Sequence, residues 1–151
     1  KGVLEQAVVY DPLKQELFTA SKGQGALLNN RKIRVSNKKT LDGALLGTGF
    51  PFNDEAAMIS FIESFKALFP AVAGIRRAGV ASLDLAYVAS GRLDGFWEFN
   101  LKPWDIAAGA LLVQEAGGVS AELTGGVDYI QSGNIISANP KMIKAMLKVL
   151  C

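Results

Sequence analysis

Residues 106–113, Ile-Ala-Ala-Gly-Ala-Leu-Leu-Val, carry no polar side chain, yet they lie inside a helical segment. Pro103 stands at the start of that segment, and Gly117-Gly118 stops it after Ala116. A helix that is apolar on every side cannot rest on a surface; it is buried between layers. A chain that contains it must supply structure on both sides. With 151 residues, half of them apolar, the material is there. A domain of this size buries about 68–70% of its unfolded surface.

The rest of the chain provides candidate layers. Residues 3–35 read as β structure. Glu5–Tyr10 is one strand, Asp11-Pro12-Leu13-Lys14-Gln15 is turn chemistry, and Glu16–Ser21 is the returning strand. Gly23-Gln24-Gly25-Ala26 turns again, and Leu27-Leu28 with Lys32–Val35 suggests a third hairpin element. Ala44–Phe50 reads as a buried strand closed by Pro51. Asn53 or Asp54 caps a helix running to about Phe69, with Met58, Phe61, Ile62, Phe65 and Leu68 inward. Ala71–Ile75 reads as a short strand, Gly79–Ser90 as a helix, and Asp94–Glu98 as a strand. After the buried helix come strands at Val119–Leu123 and Asn134–Ser137. Asn139-Pro140 then starts a last helix with Lys141, Lys144 and Lys148 outward. The expected fold is a layered α/β unit with a mixed sheet, continuous with an antiparallel sheet on its N-terminal side. The antiparallel part covers residues 1–43 and the α/β part residues 44–151.

Composition removes whole classes of chemistry. There is no histidine, so no Ser-His-Asp triad and no His-ligated zinc. The single cysteine, Cys151, makes no internal disulfide, which points to a reducing compartment, most simply cytoplasm. A net charge of +2 argues no nucleic-acid surface. No run of 18 apolar residues exists to span a membrane, and the opening Lys1-Gly2-Val3-Leu4 reads as strand rather than leader. Carboxylates, hydroxyls, arginine, lysine and backbone remain, an inventory suited to hard cations and phosphate.

Asp105 lies in the first turn of the buried helix, where a carboxylate meets the positive end of the helix dipole. Its surroundings are apolar, and an ionised carboxylate there needs a partner charge; a divalent cation is one. Glu98 ends the preceding strand, and the short loop to Trp104 can bring both carboxylates to one rim, where sites in α/β units gather. The plain alternative for Glu98 is an edge charge in water. At Arg76-Arg77-Ala78-Gly79-Val80-Ala81-Ser82, Gly79 opens a helix whose free N–H groups suit an anion or hydroxyl, with arginine charge beside it. The plain alternative is an ordinary helix start with surface arginines. Gly23-x-Gly25 and Gly47-x-Gly49 complete no phosphate-binding pattern and read as turn or strand packing. Asp84, inside an apolar helix, reads as a second metal ligand or, more plainly, as a buried hydrogen-bonded or interface carboxylate.

The run Trp104-Asp105-Ile106-Ala107-Ala108-Gly109, continued by Glu115-Ala116-Gly117-Gly118, resembles the C-terminal signature of the inositol monophosphatase family. Tyr10-Asp11-Pro12, Arg76-Arg77-x-Gly79-x-Ala81, Asp84-Leu85-Ala86-Tyr87 and Gly91-Arg92-Leu93-Asp94-Gly95 are similar to it as well. The resemblance covers essentially the whole chain. It implies an αβαβα sandwich of the sugar-phosphatase kind, here without its N-terminal helices and first metal-site strands. It implies Mg²⁺ as cofactor, with Asp105 shared between a Mg²⁺ site and the substrate. Glu98 would bind inositol hydroxyls, Gly79, Val80 and Ala81 would contact the sugar ring, and Arg76 would be a further substrate contact. Val80 stands where the family often has a hydroxyl residue.

The family's G-D-x-x-S, paired glutamates and D-P-[IL]-D-G-T are absent from these residues. Residues 1–151 therefore read as the C-terminal portion of a single phosphatase domain, inactive alone and carrying no catalytic base. The implied function of the parent is Mg²⁺-dependent hydrolysis of a phosphate monoester, with inositol 1-phosphate as substrate. Sister phosphatases acting on fructose bisphosphate, adenosine bisphosphate or NADP stand as alternatives. A binding role in transcription antitermination, through Arg77, Arg92 and the lysine face, stands as another. The resemblance also implies a homodimer.

Overall fold

Alternation of inward and outward side chains builds the first sheet. In the computed structural model, which describes residues 2–52 and 54–150, β1 (Gln6–Asp11), β2 (Glu16–Ser21), β3 (Gly25–Leu28) and β4 (Arg31–Lys32) form an antiparallel sheet in sequential order. Ala7, Val9, Phe18, Ala20 and Ala26 point to one side and are buried, while Val8, Tyr10 and Leu17 on the other side are exposed. The Asp11 carboxylate makes the first turn by accepting from the N–H groups of Leu13 and Lys14 at 3.0 and 3.2 Å.

The second sheet is mixed. It contains β5 (Leu45–Thr48), β6 (Gly74–Arg76), β7 (Gly95–Glu98), β8 (Val119–Ala121) and β9 (Ile135–Ala138), in the order β6-β5-β7-β9-β8. β5 runs parallel to β6 and β7, and β9 is antiparallel to β7 and β8. The expected continuity between the two sheets is absent: they are separate, with helices between them. The reason is the apolar helix itself, which needs cover on both sides.

That helix is α3 (Pro103–Glu115). It packs beside α2 (Ala81–Ala89), and the two fill the space between the sheets. Gly109 through Val113 are buried without a break. Gly109 is the point of closest approach: a Cβ there would overlap Leu85 Cβ and lie 2.6 Å from Leu85 Cδ1. At its C-terminal end Glu115 accepts from the N–H groups of Gly23 and Gly25 at 2.9 and 2.8 Å, which ties α3 to the β2–β3 turn. Those bonds hold the Glu115 carboxyl below its ordinary value. On the far side of the second sheet lie α1 (Glu55–Leu68) and α5 (Pro140–Leu150). The layers therefore run sheet, helices, sheet, helices. Strand alternation sends Phe96 into the α2/α3 core and Leu46 and Trp97 into the α1/α5 core.

Caps follow the local chemistry. Asp54 accepts from Ala57 N–H at 2.9 Å and starts α1, whereas Asn53 lies outside the described residues, as do Lys1 and Cys151. Asn139 Oδ1 accepts from the N–H groups of Lys141 and Met142, both at 2.9 Å, and starts α5. Other boundaries shift. Pro70 sits in a 3-10 turn, Phe69–Ala71, so the expected strand at 71–75 moves to Gly74–Arg76. Ile62 is exposed rather than inward. Residues 2–4 pair with no strand. A short helix, α4 (Tyr129–Ser132), was not legible in the sequence. No helix among the described residues is long and apolar enough to cross a membrane.

Candidate functional site

The C-terminal ends of the parallel strands β5 and β7 meet the starts of α2 and α3, and a cleft of about 290 Å³ opens there. Its walls include Glu98, Asp105, Gly79, Val80, Ala81 and Arg77. Five of the six residues that the resemblance assigned to metal or substrate thus share one cavity. Arg76 does not line it; its guanidinium turns back to the Ile75 carbonyl at 3.2 Å. Alternation at the end of β6 gives the cleft to Arg77 instead.

Each wall has a local cause. Pro103 fixes the first position of α3, and Asp105 Oδ2 accepts from Lys102 N–H at 2.9 Å. One carboxylate oxygen is thereby used to close the helix end, and the other is left for the cleft. The start of α2 lies two residues later than expected. Gly79 adopts φ +98°, a left-handed conformation suited to glycine, and a Cβ there would lie 2.8 Å from Arg77 Nη1. Val80 then occupies the cap position in extended conformation with no side-chain cap bond, and the helix begins at Ala81. The N–H groups of Ala81 and Ser82 donate to no group among the described residues. They are available to a ligand oxygen in the cleft.

Arg77 is held by aromatic faces. Its guanidinium carbon lies 5.0 Å from the Phe50 ring centre and 5.4 Å from that of Phe52. No carboxylate lies within 4.0 Å of it among the described residues, so it remains a charge presented to the cleft. Its signal in the sequence was position: Phe50-Pro51-Phe52 and Arg76-Arg77 follow adjacent parallel strands, where α/β sites collect. Arg92, by contrast, is engaged: its two terminal nitrogens grip the Glu16 carboxylate at 2.8 and 2.6 Å. Lys141, Lys144 and Lys148 are exposed along α5.

Two carboxyl groups behind this rim are strongly perturbed. Glu98 is pushed up to about 7, first by burial, then by the negative charge of Asp84, with Asp105 adding a little and Arg77 opposing. Asp84 is also pushed up to about 7 by burial, with Arg77 opposing. Asp84 is 1% exposed and neither of its oxygens has a hydrogen-bond partner among the described residues. The expected hydrogen bonds to this residue are therefore absent, and it does not line the cleft.

The folded state holds the Asp84 proton to higher pH than the unfolded chain. The contribution is complete below the ordinary aspartate range and is lost as pH rises to about 7. Asp84→Asn in the full-length protein is expected to remove this dependence, worth on the order of 3 kcal/mol. Thermal unfolding at pH 5 and pH 8.5 checks it: the variant gains on the parent at the higher pH only.

Among the described residues no three His, Cys, Asp or Glu side chains cluster as a metal cage. Asp105, with one oxygen free at the rim, fits a cation as a single ligand and no more.

The sequence model of the inositol monophosphatase family matches residues 1–150. A Nus factor SuhB from Pseudomonas aeruginosa is 57% identical, over 99% of this chain and 56% of that protein. The Nus factor SuhB of Escherichia coli K12 is 54% identical, over 97% of this chain and 55% of that protein. Among solved structures, the extragenic suppressor protein SuhB from Bartonella henselae superposes with a TM-score of 0.93 at 42% identity, covering 97% of this chain and 56% of that one. An inositol monophosphatase from Anabaena superposes at 0.90 with 38% identity, covering 95% and 58%. The architecture is the layered α/β fold of these solved structures. The chain belongs to the inositol monophosphatase family. It spans a little over half the length of the relatives it matches.

Proposed function

We propose that the protein hydrolyses phosphate monoesters of polyols with Mg²⁺ as cofactor, and that its substrate is inositol 1-phosphate. The observation that supports this is the single cleft in which Asp105, Glu98, the uncapped start of α2 and Arg77 converge. Glu98 accepts from ring hydroxyls, the N–H groups at Ala81 and Ser82 donate to substrate oxygens, and Gly79 and Val80 pack against the ring through their backbone. Asp105 is the one carboxylate of this chain that would hold Mg²⁺. Bound there, the metal would supply positive charge to the phosphate and activate water. Arg76, turned toward its own strand, is a contact only if it swings into the cleft.

Metal ligation of this kind needs several carboxylates. In this reading residues 1–151 are the C-terminal portion of one phosphatase domain, and the remaining ligands and the catalytic base come from the rest of its length. The 151 residues alone are expected to release no phosphate, whereas the full-length protein releases it only with Mg²⁺. A panel of inositol 1-phosphate, fructose 1,6-bisphosphate, adenosine bisphosphate and NADP tests the substrate; a preference for any of the last three overturns the inositol assignment in favour of a sister activity.

The names of the relatives favour a second reading, association with the transcription machinery. The exposed lysines of α5 serve that reading better than Arg77 or Arg92, which are engaged elsewhere. Pull-down with a full-length Asp105→Asn variant separates the roles: retained capture with lost hydrolysis supports a scaffold role, and lost capture argues against it. The proposed setting is the cytoplasm, and the proposed state is a homodimer, to be checked by light scattering.

A further inference from the structure

The chain's charge of +2 hides a division. Residues 31–39 contain Arg31, Lys32, Arg34, Lys38 and Lys39 and no acid. The last helix, α5, contains Lys141, Lys144 and Lys148 and no acid. Half of the 16 basic residues therefore lie in these two segments, and the rest of the chain is acidic overall, with all 14 of the acids.

The fold brings the two segments to one end. β9 runs antiparallel to β7, with Ala138 opposite Gly95, the first residue of β7. Asn139 and the start of α5 therefore lie at the end of the sheet away from the cleft. Asn139 Nδ2 donates to the carbonyls of Ser36 and Lys38 at 2.8 and 2.7 Å, which fastens residues 36–38 beside that helix start. Nearer the first sheet, Lys32 and Arg34 border a groove of about 450 Å³ against Gln114, Glu115 and Gly117 at the C-terminal end of α3. Lys38 is half-buried, and the other basic residues of both segments are exposed.

None of these cations lies within 4.0 Å of a carboxylate among the described residues. Neighbouring acids are engaged elsewhere: Glu115 accepts from Gly23 and Gly25 N–H, and Asp94 accepts from Ser36 Oγ and Leu45 N–H. Asp42 is exposed on the same connection and pairs with none of them. Folding does not favour this arrangement. Lys141 stands in the first turn of α5, where the helix dipole is positive and carboxylates are preferred. Lys144 follows three residues on and Lys148 four further, so like charges share one stripe of the helix. An external polyanion turns that repulsion into attraction.

The face also selects among polyanions. A protein partner needs an apolar centre inside a polar rim. Among the described residues of these two segments, Val149 is the one large apolar side chain that is exposed. Neither segment contains Phe, Tyr or Trp, so bases find no platform to stack on. A sugar-phosphate backbone needs only spaced cations. We propose that the end of the protein opposite the cleft is a phosphodiester-binding surface, which holds a nucleic-acid strand by its backbone without reading its bases. The surface stands apart from the hydrolytic site, and neither hydrolysis nor capture of transcription proteins decides it.

The test is fluorescence anisotropy with the full-length protein and mixed-sequence single strands of about 20 nucleotides, one RNA and one DNA. Both are expected to bind without sequence preference and to lose about 100-fold in affinity between 50 and 200 mM salt, the dependence of about five neutralised phosphates. A triple variant, Lys38→Gln, Lys39→Gln and Lys141→Gln, is expected to weaken binding at least about tenfold at low salt and to lower the salt slope by about 2. The corresponding triple Lys→Arg variant is expected to bind as the parent does. Phosphate release and thermal melting should be unchanged in both variants. Tighter binding of RNA or of DNA names the source of the strand and supports the surface. No binding at low salt, or binding that the Gln variant leaves intact, would overturn the proposal. Displacement of the strand by poly-glutamate at equal charge would overturn it in favour of an acidic protein partner.

Discussion

Full-length protein carrying Asp105→Asn is expected to lose phosphatase activity by more than about 100-fold while folding as the parent does. The separation of the two effects comes from how Asp105 is held. Its Oδ2 closes the end of α3 by accepting from Lys102 N–H at 2.9 Å. An asparagine carbonyl oxygen makes the same bond, so the helix start is preserved. The other oxygen becomes an amide nitrogen, which donates and cannot ligate a cation. Groups one step removed from a metal already cost about 10–100-fold when altered, and a ligand stands closer than they do. Loss of the favourable dipole contact at the helix start costs about 0.3–1 kcal/mol, too little to unfold the domain. Steady-state rates over a Mg²⁺ titration, paired with thermal melts, check both halves. Undiminished turnover at saturating Mg²⁺ would remove Asp105 from the metal site.

Gly109→Ala is expected to destabilise the fold by about 2 kcal/mol, against the ordinary direction of a glycine-to-alanine change in a helix. Propensity alone would favour alanine by about 1 kcal/mol. The added methyl, however, would overlap Leu85 Cβ and sit 2.6 Å from Leu85 Cδ1. A Cβ cannot swing away as the end of a long side chain can. Relief requires α2 and α3 to separate, and both are pressed between two sheets. Overpacking of such a contact costs about 1–3 kcal/mol, and at the upper end the propensity gain of about 1 kcal/mol leaves a net cost of about 2 kcal/mol. The midpoint of thermal unfolding should fall by roughly 4–8 °C. An unchanged or raised midpoint would mean that the helices are not locked at this contact.

The elements that sequence resolved best are those whose periodicity is local. Glu16–Ser21 reads as a strand with the observed boundaries because its alternation is unbroken. The start of α5 is evident from Asn139-Pro140, whose cap chemistry needs no tertiary context. The unbroken burial of residues 109–113 follows from an apolar run that has no polar side to expose. What sequence could not resolve depends on chain parts far apart. Whether two sheets are continuous or stacked is decided by long-range pairing, which no local pattern contains. Arg76 and Arg77 are equivalent in composition, and one step of strand alternation decides which of them enters the cleft. Gly47-x-Gly49 was legible as close packing, but which side chains press on it was not: Leu93 and Phe96 at Gly47, and Glu98 at Gly49. Asp84 was legible as buried; that it would lack hydrogen bonds was not, because its surroundings are assembled from β5, β7 and α2.

The sandwiched pair α2 and α3 has a consequence for how this protein can diversify. Residues 106–113 lie in one core pressed between two sheets, so a change that suits one sheet is checked by the other. A lineage exploring new substrates has little latitude in that layer. Exchange costs less where side chains meet solvent at the cleft, as Val80 does at 47% exposure. A scaffold of this kind can vary its rim while the layer beneath, which carries Asp105, stays as it is.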